Sequence, residues 1–145
     1  MRTLDAQAQA EQLHAALRIL NHTFVVDRIF AAHLTGARHD YAATNTDATP
    51  GLDELQSAVA RSDRWYLDYV AGLTPADLAQ HVSFTFMDGL AGRMSREEIL
   101  AHLITHGGYH RGAIGRILLQ ASVQPPRDTY TVFLHRTQPE RRSVG

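Results

Sequence analysis

A chain of 145 residues, 44% hydrophobic and 20% charged, is long enough for one domain with a buried core and short for two. Cysteine is absent and all 14 basic residues are arginine, which excludes disulfides, thiolate metal sites, cysteine nucleophiles, Schiff-base lysines and P-loop chemistry; any metal falls to His, Asp or Glu. A net charge of −1 with interspersed signs gives no field for a polyanion, and neither an apolar leader nor a run of about 18 apolar residues is present, so a soluble cytoplasmic protein with no nucleic-acid or membrane partner is expected.

Residues 5–35 contain no Pro or Gly, are rich in Ala, Leu, Gln, Glu and Arg, and end at Gly36, which predicts one long helix. Its apolar residues form two stripes, Leu13, Leu17, Leu20, Phe24 and Ala31 on one side and Ile19, Val26, Ile29 and Phe30 on the other. A helix apolar on two faces belongs inside a bundle, and His22 projects close to the centre of the second stripe. Residues 36–52 carry the Gly, Asn, Asp, Thr and Pro of a long irregular connection. A second helix follows over about 53–72, with Leu55, Val59, Ser62, Tyr66, Tyr69 and Leu73 at helical spacing. Thr74 and Pro75 then open a single helical turn as N-cap and N1.

Val82, Phe84 and Phe86 alternate with Ser83 and Thr85 before Asp88-Gly89, the pattern of a short hairpin. Ser95 and Glu98 form a capping box that starts the last long helix, which ends after Gln120 ahead of Pro125-Pro126. Tyr130, Val132, Phe133 and Leu134 are expected to lay an apolar segment over the bundle. One domain spans 1–137, and the tail over 138–145 is expected to be mobile.

The chemistry concentrates in the last long helix, where His102, His106 and His110 recur every four residues. That interval stacks neighbouring imidazoles on one side of a helix, as a divalent metal requires. Ile99, Leu103, His106, His110, Ile114 and Ile117 share one stripe, so His106 and His110 occupy positions that are otherwise core, while His102 lies roughly 40° further round. Taken alone, a buried histidine is more often a hydrogen-bonded core residue than a ligand. Two on one core stripe, joined by His22 from another helix, form a facial set suited to Zn²⁺, Ni²⁺ or Fe²⁺ with outer positions open. His14, His33, His39, His81 and His135 read as surface or loop residues, although His33 follows His22 by three turns. Trp65, Tyr66, Tyr69 and Tyr109 read as packing residues and Arg111 as one half of an ion pair.

His106-Gly-Gly-Tyr-His110-Arg-Gly-Ala-Ile, preceded by His102, resembles the His-x-x-x-His-Arg-Gly-Gln motif of the DinB/YfiT-like family of metal-dependent enzymes. Leu20-Asn-His-Thr-Phe-Val-Val-Asp-Arg-Ile-Phe, Asp88-Gly89 and Gln124-Pro-Pro-Arg-Asp extend the resemblance over about residues 13–135. The family's Gln is here Ala113, and its usual Trp is Phe30. The resemblance implies an all-α fold of four-helix-bundle type, up-down-down-up, with the first helix shortened or missing and a short β-hairpin before the last long helix. It also implies His22, His106 and His110 as ligands of a divalent metal, Zn²⁺ or Ni²⁺ ahead of Fe²⁺ or Mn²⁺.

The function expected is that of a metal-dependent enzyme, a hydrolase or a thiol-dependent transferase or isomerase acting on a small molecule; the catalytic residues are not assigned. The rival reading is a non-catalytic bundle for binding or dimerisation, with a structural metal or none, for which His102 or His33 as a fourth ligand is the discriminating feature. The shortened start leaves an apolar stripe of the first long helix without a wall, from which a homodimer is expected.

Overall fold

The computed structural model describes residues 2–142. Helix α1 runs Arg2–Thr35 and stops where the sequence places Gly36, whose φ of 70° is the left-handed conformation of a helix C′ residue. There the Gly36 N–H donates to the His33 carbonyl and the Ala37 N–H to the Ala32 carbonyl. Helix α2 spans Leu52–Ala71. The short α3, Pro75–Leu78, opens with a capping box between Thr74 and Asp77. Strands β1 (His81–Thr85) and β2 (Ala91–Ser95) pair antiparallel, with Val82 opposite Met94 and Phe84 opposite Gly92. Gly89, at φ 86°, makes the turn between them. Helix α4, Arg96–Gln120, follows β2 without a gap, and α5 covers Tyr130–Thr137. The expected helical fold with a hairpin before the last long helix is thus observed.

Tertiary hydrogen bonds fix the directions of the three long helices. The Tyr66 hydroxyl donates to the Asp27 carbonyl at 2.5 Å, and the Tyr69 hydroxyl to the Leu34 carbonyl at 3.5 Å, so α2 advances alongside α1 in the same direction. Arg96, at the start of α4, donates to the Leu34 carbonyl at 2.7 Å, while His106 lies beside His22; α4 therefore runs antiparallel to α1. Two parallel helices in sequence need a return connection, and residues 36–51 supply it. Asn45 donates to the Arg18 carbonyl at 3.0 Å, and the buried Asn21 donates to Asn45 Oδ1 at 2.5 Å and to Thr46 Oγ1 at 2.6 Å. The loop has by then come back along α1 by about 24 Å, sixteen residues at the helical rise.

The core joins the second apolar stripe of α1 to the hairpin and α4. Val26, Phe30, Leu34, Phe84 and Ile99 form its buried centre, flanked by Tyr66, Tyr69, Met94 and Leu103. On the first stripe Ala31 is buried, Leu17, Leu20 and Phe24 are half-buried and Leu13 is exposed.

The segment after Pro125-Pro126 departs from expectation. It is a helix, α5, with Tyr130, Val132 and Phe133 all exposed and Leu134 alone of the four half-buried, so it does not lay the expected apolar segment over the bundle. An ion pair between Arg111 and Asp128 at 2.5 Å draws the chain to the outer side of α4, and α5 departs from there. Pro139–Arg141 form a 3₁₀ turn, and residues 143–145 of the expected tail lie outside the described residues. No helix among the described residues is long and apolar enough to cross a membrane.

Candidate metal centre

The site is built across the antiparallel contact of α1 and α4. The capping box expected for α4 is present: Ser95 Oγ accepts from the Glu98 N–H at 3.1 Å, and the Ser95 N–H donates to Glu98 Oε2 at 2.7 Å. This hydrogen bond from the Ser95 backbone holds the Glu98 carboxyl below the usual carboxylate range, leaving Glu98 an ionised cap and no proton acceptor. From that start the helical period brings His106 and His110 to the side facing α1, with ring centroids 4.4 Å apart.

His22 meets both of them from α1. Its ring centroid lies 5.1 Å from that of His106 and 4.8 Å from that of His110. The His22 and His106 Nε2 atoms are 3.2 Å apart, and one nitrogen of each of the three rings falls within 4.8 Å of the others. Two nitrogen ligands at 2.0–2.1 Å from a tetrahedral ion stand about 3.3 Å apart, so the His22–His106 pair is already at ligand spacing. Among the described residues no other His, Asp or Glu belongs to such a group.

Hydrogen bonding and charge prepare the rings for a cation. His22 Nδ1 lies 2.7 Å from the Thr44 carbonyl, and since a carbonyl only accepts, the proton sits on Nδ1 and the Nε2 lone pair faces His106. His106 Nδ1 is buried without a hydrogen-bond partner. Burial, reinforced by the like charges of His110, His22 and His102, pushes the His106 pKa down to about 4, and burial with His22 lowers that of His110. At neutral pH His106 and His110 are therefore neutral, and ring nitrogens of three imidazoles converge with no counter-ion among them. That donor set fits a divalent ion.

A sequence model of the DinB family matches residues 3–142. The chain belongs to the DinB family. No curated protein and no solved structure matches it. In this chain the α1–α4 contact brings His22 to the two histidines on the core stripe of α4.

The other histidines of this DinB chain separate into distinct environments. His102 is half-buried, its ring 5.3 Å from that of His106 and 5.1 Å from that of Phe30, and does not join the triad. His33 stacks on Phe84 at 4.7 Å and meets His39 at 5.4 Å, both rings half-buried rather than on the surface; burial and His39 lower its pKa. His14 and His81 are exposed, and His135 lies on α5 with Nδ1 2.8 Å from the Thr131 carbonyl. Tyr66 and Tyr69 are packing residues, as their composition and spacing suggest, and Arg111 is in an ion pair.

Asp27 faces away from the triad toward α2, where burial and neighbouring Asp63 push its carboxyl up to about 7 against the lowering effect of Arg111. Sequence reasoning missed Thr44, whose backbone carbonyl orients His22. No side-chain type marks such an acceptor; only the length of the 36–51 connection hints at a role.

Proposed function

We propose that this DinB-family chain is a metal-dependent enzyme in which His22, His106 and His110 hold one divalent ion, Zn²⁺ or Ni²⁺, and in which the substrate is a small molecule. The reaction is hydrolysis or a thiol-dependent transfer. One observation carries the reading: three histidines from two helices converge with no fourth ligand among the described residues, which suits a catalytic site better than a closed structural one. When bound, the ion supplies Lewis acidity, polarising a carbonyl or activating a nucleophile near neutral pH.

The chain's own residues do the rest. Thr44 fixes the tautomer and the orientation of the His22 ring through Nδ1–H, leaving Nε2 free to ligate. Helix α4 holds His106 and His110 one turn apart on a capped, rigid scaffold. Phe30, Phe84 and Phe86 wall the side toward the hairpin. Neither Glu98, committed to the cap, nor Asp27, turned to α2, reaches the triad as a base.

Untagged protein should carry about one equivalent of metal per chain by elemental analysis, and His106→Ala or His110→Ala should abolish it. Wild-type protein that is metal-free and resists reconstitution would overturn the proposal. Melts with and without chelator distinguish the catalytic reading from a metal staple, for which the loss of stability on chelation would be large.

A further inference from the structure

Next to the triad, between α1, α4 and the hairpin, lies a cavity of about 380 Å³. His22 and His106 of the triad line it together with His33 and His102, and its apolar walls are Val26, Ile29 and Phe30 from α1 with Phe84, Phe86 and Met94 from the hairpin. None of its thirteen lining residues is Asp, Glu or Arg. The arginines lie elsewhere: Arg28 and Arg38 line a separate depression beside Trp65, and Arg111, Arg116 and Arg127 line another outside α4.

We infer that this cavity is a binding site for a small, uncharged, predominantly apolar molecule, aromatic in its favoured form, held with one end at the triad. The inference deepens the metal-enzyme proposal by naming the class of substrate. Its size is at the lower end of ligand cavities and suits a molecule of one or two rings. The polar side chains on these walls are four histidines and two threonines, so a buried carboxylate or phosphate would find no arginine fork there, and an ion so placed is costly.

The walls favour a ring specifically. Phe84 meets Phe30 edge-on at 5.7 Å and Phe86 at 4.9 Å, and stacks on His33, which leaves aromatic faces and edges directed into one space. Gly92, opposite Phe84, makes this possible: a Cβ there would come within 2.7 Å of both Phe84 and Phe86. At the mouth, Phe86 and Met87 are 45% and 39% exposed, apolar area that a bound ligand would remove from water.

The test compares indole with indole-3-carboxylate, titrated into full-length protein in metal-free and Zn²⁺-loaded form and followed by amide chemical shifts. The metal-free arm matters because an anion can also be drawn to the ion itself. Indole should bind saturably in both forms, shifting Ile29, Phe84, Phe86 and Met94, and the carboxylate should bind the metal-free form about tenfold more weakly. Phe86→Ala, which removes one aromatic wall without adding a charge beside the triad, should weaken indole several-fold. Equal affinity for the carboxylate in the metal-free form would overturn the inference, as would indole shifts mapping to the arginine-lined depressions or no saturable binding. The outcomes separate the two proposals: Zn²⁺ binding without indole binding removes only the substrate class, and indole binding without Zn²⁺ binding removes only the metal.

Discussion

Replacing His106 with leucine should make the metal-free protein more stable, the opposite of the usual result for a half-buried polar residue in a bundle. His106 Nδ1 is buried with no partner, and the one hydrogen-bond contact of its Nε2 is the Nε2 of His22. An unsatisfied buried polar atom costs about 1–3 kcal/mol, and leucine has nearly the volume of the imidazole. Because the ring as a whole is only half-buried, the lower end applies, a gain of about 1 kcal/mol and about 3–4 °C in Tm for a chain of this size. Zn²⁺ should reverse the order: at free metal one hundred times Kd the wild type gains about 2.7 kcal/mol and the variant nothing.

The pH dependence adds a sign. The folded pKa of His106 is about 4, below its unfolded value of 6.5, so the unfolded chain binds the extra proton between these values. Metal-free wild type should therefore lose stability as pH falls from about 6.5 toward 4, and His106→Leu should lose less. Urea titrations in chelator at pH 7.5 and 5, repeated with Zn²⁺ at pH 7.5, measure all of this. A chelated variant less stable than chelated wild type, or equal stabilisation of both by Zn²⁺, would refute the account of His106 as a ligand kept at a cost to the fold.

Asn21→Ala removes the side chain that holds the returning loop at Asn45 and Thr46; it should weaken metal binding about tenfold, by freeing Thr44 from His22, while helical circular dichroism is retained. Asp27 should titrate near pH 7 by carboxyl NMR. Since its folded pKa lies above the unfolded one, its contribution to stability falls as pH rises from about 4 to 7, and Asp27→Asn should flatten the profile in that window. The chain should also be a dimer by light scattering at micromolar concentration: its accessible surface of 10543 Å² exceeds by roughly 3,000 Å² the value expected for a 16.1 kDa monomer, enough for a large self-interface over exposed Leu13, Leu119 and Val123. A monomer at that concentration would count against the surface argument.

Local chemistry was readable in the sequence and long-range pairing was not. The Ser95–Glu98 box, the Thr74 cap with Pro75 at N1, the Gly36 stop and the Asp88-Gly89 turn are each encoded within a few residues, and each is present. Helical phasing likewise separates His106 and His110 from His102, because all three share one rigid helix. The burial of Asp27 was not readable: its own helix shows only that it faces away from His22, and what covers it is α2, whose placement depends on contacts 39 residues apart, such as that from Tyr66 to the Asp27 carbonyl. The exposure of α5 was equally hidden, since Tyr130, Val132 and Phe133 carry the composition of a core segment while the ion pair of Asp128 with Arg111, seventeen residues before it, sets their position.

The 36–51 connection joins these two levels. An irregular stretch of that length would ordinarily be unfavourable in a compact domain, yet a parallel α1–α2 arrangement requires the chain to travel back along α1 before α2 can begin. Asn21 and Arg18 anchor the return at the level of His22, and the anchored backbone presents the Thr44 carbonyl to His22 Nδ1. The topological requirement and the orientation of the third imidazole are thus met by the same hydrogen bonds. Shortening the loop would disturb the ligand set before it disturbed the core, because Val26, Phe30, Leu34, Phe84 and Ile99 pack without it.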